Sequence, residues 1–164
     1  FDELIVKSLL KSLIDKNKVS YKNHLYTISG HSPALDNRLD TIKDKIIKIV
    51  KIDSFMLPSI KEVNEEISVK NNDFNKIIHF LETQEEMFQL DNTFLMHKSV
   101  YNKIKETIFE YFKSNKTISV PQFKDIFNIS RKYAVPILEF LDKQKITIRN
   151  GNDRELYQWN LIQV

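Results

Sequence analysis

The chain has 164 residues, enough for one or two small domains, and its 25 basic and 22 acidic residues leave a formal charge of +3. It has no cysteine, which excludes disulfides, thiolate nucleophiles and cysteine-bound zinc and suits a reducing compartment. Gly30 and Gly151 are too few glycines for a phosphate-cradling loop, and no apolar run approaches the ~20 residues that span a bilayer.

The chain opens at Phe1, without a signal peptide and already inside a helix, and reads as a piece of something larger. In "SLLKSLIDKNKVSYKNHLYTI", Leu9, Leu10 and Leu13 share a helical face, and two short strands follow a polar break. After the linker "SGHSPALDN", the stretch "RLDTIKDKIIKIVKI" turns Ile42, Ile46, Ile49 and Val50 inward, and Pro58 stands near the start of a short second helix, "MLPSIKEVNEEI". A third helix with Ile77, Ile78 and Leu81 on one face leads through "LETQ" to a hairpin with a turn signal at Leu90–Asn92. The plan then repeats. "SVYNKIKETIFEYFK" is a long helix with Ile104, Ile108, Tyr111 and Phe112 inward, "TISV" a short strand, and Pro121 opens the helix "PQFKDIF". "NIS" turns into "SRKYAVPILEFLDKQ", with Val135, Leu138 and Leu141 on one face, and the strand at Ile146–Arg149 returns through "NGNDR" towards Leu156, Trp159 and Leu161.

Helix, short strand, helix, tight turn, helix and hairpin is the winged-helix order. The fold class is mostly α with small β wings, as tandem winged-helix domains. Residues 1–35 are the end of a truncated unit plus linker, residues 36–98 a complete unit, and residues 99–164 a second. The strand before Lys98 runs almost directly into the next helix, which is expected to fix the two complete units relative to each other. Charge separates the last unit from the rest: residues 99–164 carry 11 basic and 7 acidic groups, whereas residues 1–98 carry 14 and 15. The basic end suits a polyanion. The acidic clusters "EVNEEI" and "ETQEEM" make the middle unit a spacer or docking surface.

The start of the last long helix concentrates the chemistry. Ser130 is placed to cap it through its hydroxyl, and its first turn presents Arg131, Lys132 and Tyr133 together with free amides and the positive end of the helix dipole. Pro136 removes one helical hydrogen bond and crowds the carbonyl of Lys132, which implies a kinked or irregular first turn, or a regular helix that begins only near Ala134. The hairpin adds Arg149, Asn150, Gly151, Asn152, Asp153 and Arg154, with Gly151 permitting positive φ at the tip. Helix start and wing tip, if on one side, would grip a ligand from two directions. Arg131 and Lys132 also read as solvated helix-start residues, and Arg149 and Arg154 as partners of Asp153 or Glu155. Tyr111, Phe112, Phe123, Phe127, Phe140 and Trp159 read as core. The histidines at 24, 31, 79 and 97 lie far apart, with no metal-ligand spacing.

The segment "SVPQFKDIFNISRKYAVPILEFLDKQKITIRNGNDREL" resembles the C-terminal winged-helix domain of the bacterial selenocysteine-specific elongation factor family, SelB. The resemblance rests on the "FKDIF" helix, the "SRKYAVPILEFLD" helix with its proline, and the basic wing. It implies a non-catalytic fragment that binds an mRNA stem-loop, the SECIS hairpin, near an in-frame UGA. Ser130, Arg131, Lys132 and Tyr133 match the helix-start motif, and Arg149, Gly151, Asp153 and Arg154 the wing. It further implies no cofactor or metal in this fragment, GTP and magnesium on N-terminal domains outside it, ribosome and selenocysteinyl-tRNA reached through the full-length protein, no membrane, a cytoplasmic location and a monomer. RNA suits a compact cationic corner, because a sequence-specific reader of A-form RNA must use splayed loop bases and backbone shape. The rivals are a DNA-binding regulator, which would prefer duplex DNA and dimerise, and a protein-interaction scaffold.

Overall fold

A computed structural model describes residues 3–16, 19–22, 25–28, 37–52 and 54–157. Trp159, Leu161 and the linker at 29–36 lie outside these residues. The chain divides into two compact units, Phe1–Asp36 and Asn37–Val164. In the first, α1 (Glu3–Asp15) precedes a hairpin of β1 (Val19–Lys22) and β2 (Leu25–Ile28). Of its apolar face, Leu10 and Leu13 are half-buried, while Leu9 is exposed.

The second unit holds two winged helices. The middle one consists of α2 (Asn37–Val50), α3 (Ile60–Ile67), α4 (Asn71–Thr83), β3 (Met87–Leu90) and β4 (Phe94–His97). The last consists of α5 (Lys98–Phe112), β5 (Thr117–Ser119), α6 (Val120–Phe127), α7 (Arg131–Lys143), β6 (Thr147–Asn150) and β7 (Asp153–Leu156). The middle wing has two strands, with one isolated bridge between Ser59 and Phe94 where the last unit has a strand. The last wing is a three-stranded antiparallel sheet in the order β5-β7-β6.

Helix starts and stops follow local chemistry. Ser59 and Ser119 both close capping boxes, with Glu62 and Gln122 respectively, so two otherwise unpaired amides are satisfied at each start. The helix-to-wing turns are also duplicated. After α4, Glu85 takes a left-handed conformation with Glu86 N–H bonded to the Leu81 carbonyl; after α7, Lys145 does the same, with Ile146 N–H bonded to the Leu141 carbonyl.

The two winged helices share one core. Leu57, Leu90, Phe94 and Met96 of the middle unit join Ile104, Ile108, Phe123, Ile137, Leu138 and Leu141 of the last in a single buried cluster. The Lys98 amide, first in α5, donates to the Glu86 carbonyl at 2.9 Å, and β4 passes into α5 with no residue between them. Among the expected core aromatics, Phe112, Phe123, Phe127 and Phe140 are buried, and Tyr111 is half-buried with its hydroxyl donating to the Thr117 carbonyl at 3.3 Å. No helix among the described residues is long and apolar enough to cross a membrane.

Candidate nucleic-acid interface

The start of α7 differs from the sequence expectation. Ser130 occupies the N-cap position with extended backbone, φ −78° and ψ 163°, yet its side chain makes no capping hydrogen bond. The Ser130 carbonyl instead accepts from the amides of Tyr133 and Ala134, both at 3.1 Å. Position N3 is Tyr133, which lacks the carboxylate or carboxamide that completes a box at Ser59 and Ser119. The helix is continuous from Arg131 through Pro136 to Lys143, so a helix beginning only near Ala134 is corrected. Pro136 is the sixth helical residue, where its cost is one lost bond to the Lys132 carbonyl.

The motif residues do not all face solvent. Ser130 and Arg131 are exposed. Lys132 is exposed too, but its ammonium lies 5.5 Å from the ring centre of Phe94 and 5.4 Å from that of Tyr133. Tyr133 is half-buried, its ring centre 5.3 Å from that of Phe94. It packs on the middle unit's wing.

The last wing has a two-residue turn, since Asn150 pairs with Asp153 and Gly151 adopts φ 61°. Arg149, Asn150, Gly151 and Asn152 are exposed and Asp153 is half-buried. The Arg149 Nε donates to the Gly151 carbonyl at 3.0 Å and the Asn150 amide to Glu155 at 2.7 Å, so the tip is ordered by its own side chains.

Arg154 corrects the sequence reading. Its side chain is only 3% exposed, and its Nε donates to Asp142 Oδ2 at 3.0 Å. Neither Asp153 nor Glu155 is the partner. The other Asp142 oxygen accepts from the buried Thr147 hydroxyl at 2.6 Å. One carboxylate at the end of α7 therefore holds β6 and β7 of the wing, and Arg154 supports the tip from inside. Sequence reasoning missed Asp142 and Thr147. Along β7, Arg154 and Leu156 alternate inward, whereas β6 buries only Thr147 and leaves Ile148 47% exposed.

Register also places the last wing against α6. Asp153 lies opposite both Asn150 and Ser119, so the wing runs beside the N-cap of α6, whereas the start of α7 follows the last turn of α6. Two cationic prongs can hold separate phosphates of one folded nucleic acid. Among the described residues, no group of His, Asp and Glu is arranged to hold a metal ion.

Residues 110–156 match the family described as "Elongation factor SelB, winged helix". A selenocysteine-specific elongation factor from Desulfomicrobium baculatum is 24% identical over 152 residues, covering 93% of this chain and 24% of that protein. The chain thus spans about a quarter of the curated relative it matches. The mRNA-binding domain of E. coli elongation factor SelB, solved in complex with SECIS RNA, superposes with a TM-score of 0.67 at 16% identity, covering 76% of this chain and 100% of that one. A bacterial selenocysteine-specific elongation factor, EF-Sec, superposes with a TM-score of 0.60 at 21% identity, covering 95% of this chain and 26% of that one.

Proposed function

We propose that this chain, a winged-helix region of the kind found in the elongation factor SelB, binds an mRNA stem-loop of the SECIS type and tethers a selenocysteine-specific elongation factor beside an in-frame UGA. The observation that carries the proposal is the pairing of an uncapped, cationic helix start at Ser130–Arg131 with an exposed basic wing tip at Arg149–Asn152, in the segment with the family match. Free amides and a helix dipole suit phosphate, and two cationic prongs suit the bent backbone of a loop.

In this reading Ser130, Arg131, Arg149, Asn150, Gly151, Asn152 and Asp153 face the RNA, and Arg154 holds the wing. The fragment performs no catalysis and needs no cofactor. GTP, magnesium, selenocysteinyl-tRNA and the ribosome belong to the longer factor, in the cytoplasm, and the fragment acts as a monomer on one hairpin.

Fluorescence anisotropy tests this with three labelled ligands: a stem-loop from downstream of a UGA selenocysteine codon, the same hairpin with its loop scrambled, and a DNA duplex. Selective binding of the first is expected. Equal, steeply salt-dependent binding of all three reduces the site to a basic patch, and preference for the duplex favours a DNA-binding regulator.

A further inference from the structure

The first turn of α7 divides into two parts with different surroundings. Arg131 faces solvent. Lys132 and Tyr133, one and two residues on, meet the middle unit instead. Their common partner is Phe94, which opens β4 and is only 2% exposed. Phe94 is bridged to Ser59, the capping residue of α3, and the Glu62 carboxylate accepts from the Ser59 amide at 2.8 Å. The field of Lys132 adds to these Ser59 hydrogen bonds in holding the Glu62 carboxyl below its ordinary range. Lys132 thus lies over an aromatic face and its field reaches a carboxylate, both in the neighbouring domain.

The contact is one end of a longer seam. Towards the other end of α7, Lys143 Nζ pairs with Asp91 at the middle wing's turn, at 3.0 Å, and Phe140 packs on Phe88. The wing of the middle unit therefore lies against the recognition helix, where a free wing would reach for ligand.

We propose that Lys132 and Tyr133 are positioning residues that dock the recognition turn onto Phe94 of the middle wing, so that the aim of Arg131 depends on the middle domain. This rests on the RNA-binding reading for its consequence and on the domain seam for its structure. A lysine on a phosphate and a lysine on a ring predict different behaviour. Removing a phosphate contact lowers the salt dependence of binding by about one unit of slope and costs the same in any background. Removing a cation from a ring leaves the slope unchanged, and the loss shrinks once the ring is gone.

The test is a double-mutant cycle in the whole chain with Lys132→Met, Phe94→Leu and the double variant, and Lys132→Arg as the conservative control. Stem-loop affinity is measured at several salt concentrations, and the urea midpoint without RNA. The expected result is a roughly threefold loss of affinity for Lys132→Met with unchanged salt slope. That loss is smaller in the Phe94→Leu background, where the Tyr133 ring alone is left beside Lys132, and is recovered by Lys132→Arg, with a matching non-additivity in the urea midpoints. A slope lowered by one, with equal losses in both backgrounds, overturns the proposal in favour of direct phosphate contact. Additive urea midpoints overturn the docking itself. A wild-type chain that ignores the hairpin but still gives coupled midpoints refutes the RNA reading and leaves the docking standing. Should Phe94→Leu fail to fold, Phe94→Tyr with Lys132→Met serves as the alternate pair: it keeps a ring, so Lys132→Met must still lose affinity, and no loss there overturns the proposal.

Discussion

The middle and last winged helices are built from the same order of helices and the same left-handed stops, yet they use their wings in opposite ways. The middle return strand reads Phe94-Leu95-Met96, three buried residues in succession, and a strand buried on both faces belongs inside a protein. The last wing reads Arg149-Asn150-Gly151-Asn152 at its tip and is exposed. One wing is spent on joining two domains, and the other is left to meet a ligand. A winged helix is thus a scaffold whose binding surface is decided by which few side chains stay outside.

The helix starts divide by position in the unit. Ser59 and Ser119, at the second helix of each unit, are closed by their own boxes, while Ser130 and its counterpart Lys70 leave the first turn of the third helix without a side-chain cap. Both third-helix starts retain donors, and only the one at Ser130 adds an exposed arginine, Arg131.

The largest effect expected from breaking this contrast is at Asp142. Asp142→Ala leaves the Arg154 charge buried without its carboxylate and the Thr147 hydroxyl without its acceptor, which costs about 3 kcal/mol in urea unfolding and disorders the last wing. Next is Arg131→Ala, expected to weaken stem-loop binding by roughly 1–3 kcal/mol while circular dichroism stays native. Lys145→Gly relieves a left-handed residue at φ 55° and should stabilise the chain by about 1 kcal/mol in the same urea assay.

The smallest effect concerns His97, whose Nδ1 accepts from the Ser99 amide at 3.1 Å at the start of α5. Burial, and then the nearby Lys51, lower its pKa against a weaker opposing pull from Glu86. Its neutral form is the folded one, so its contribution to stability is complete above the ordinary histidine range near 6.5 and is lost as pH falls through the lowered value. The melting temperature of the chain should fall on acidification below that range, and His97→Gln should flatten the fall.

Much of this organisation is legible in the sequence, because helical and strand periods depend on near neighbours. The three-fold repeat, the inward faces of the long helices and the turn at Gly151 all follow from local spacing. The caps had a local signal that the expectation of a cap at Ser130 passed over: Glu62 and Gln122 stand three residues after Ser59 and Ser119, and Tyr133 stands where a box at Ser130 would need Glu or Gln. What could not be read locally is the fate of Arg154 and Lys132. The first is settled by a carboxylate twelve residues earlier on another element, the second by an aromatic ring of the neighbouring domain. A cation in a binding motif and a cation in an internal pair look the same until the packing is known.

The central claim is that ligand meets the last unit at the start of α7 and at the wing tip, with the middle unit as a bracket. Hydrogen–deuterium exchange on the whole chain, with and without the stem-loop, tests it most directly. The account predicts protection at Ser130–Arg131 and Arg149–Asn152, with the start of α4 at Asn71 unchanged. Protection at the start of α4 with none at Ser130–Arg131 would contradict it.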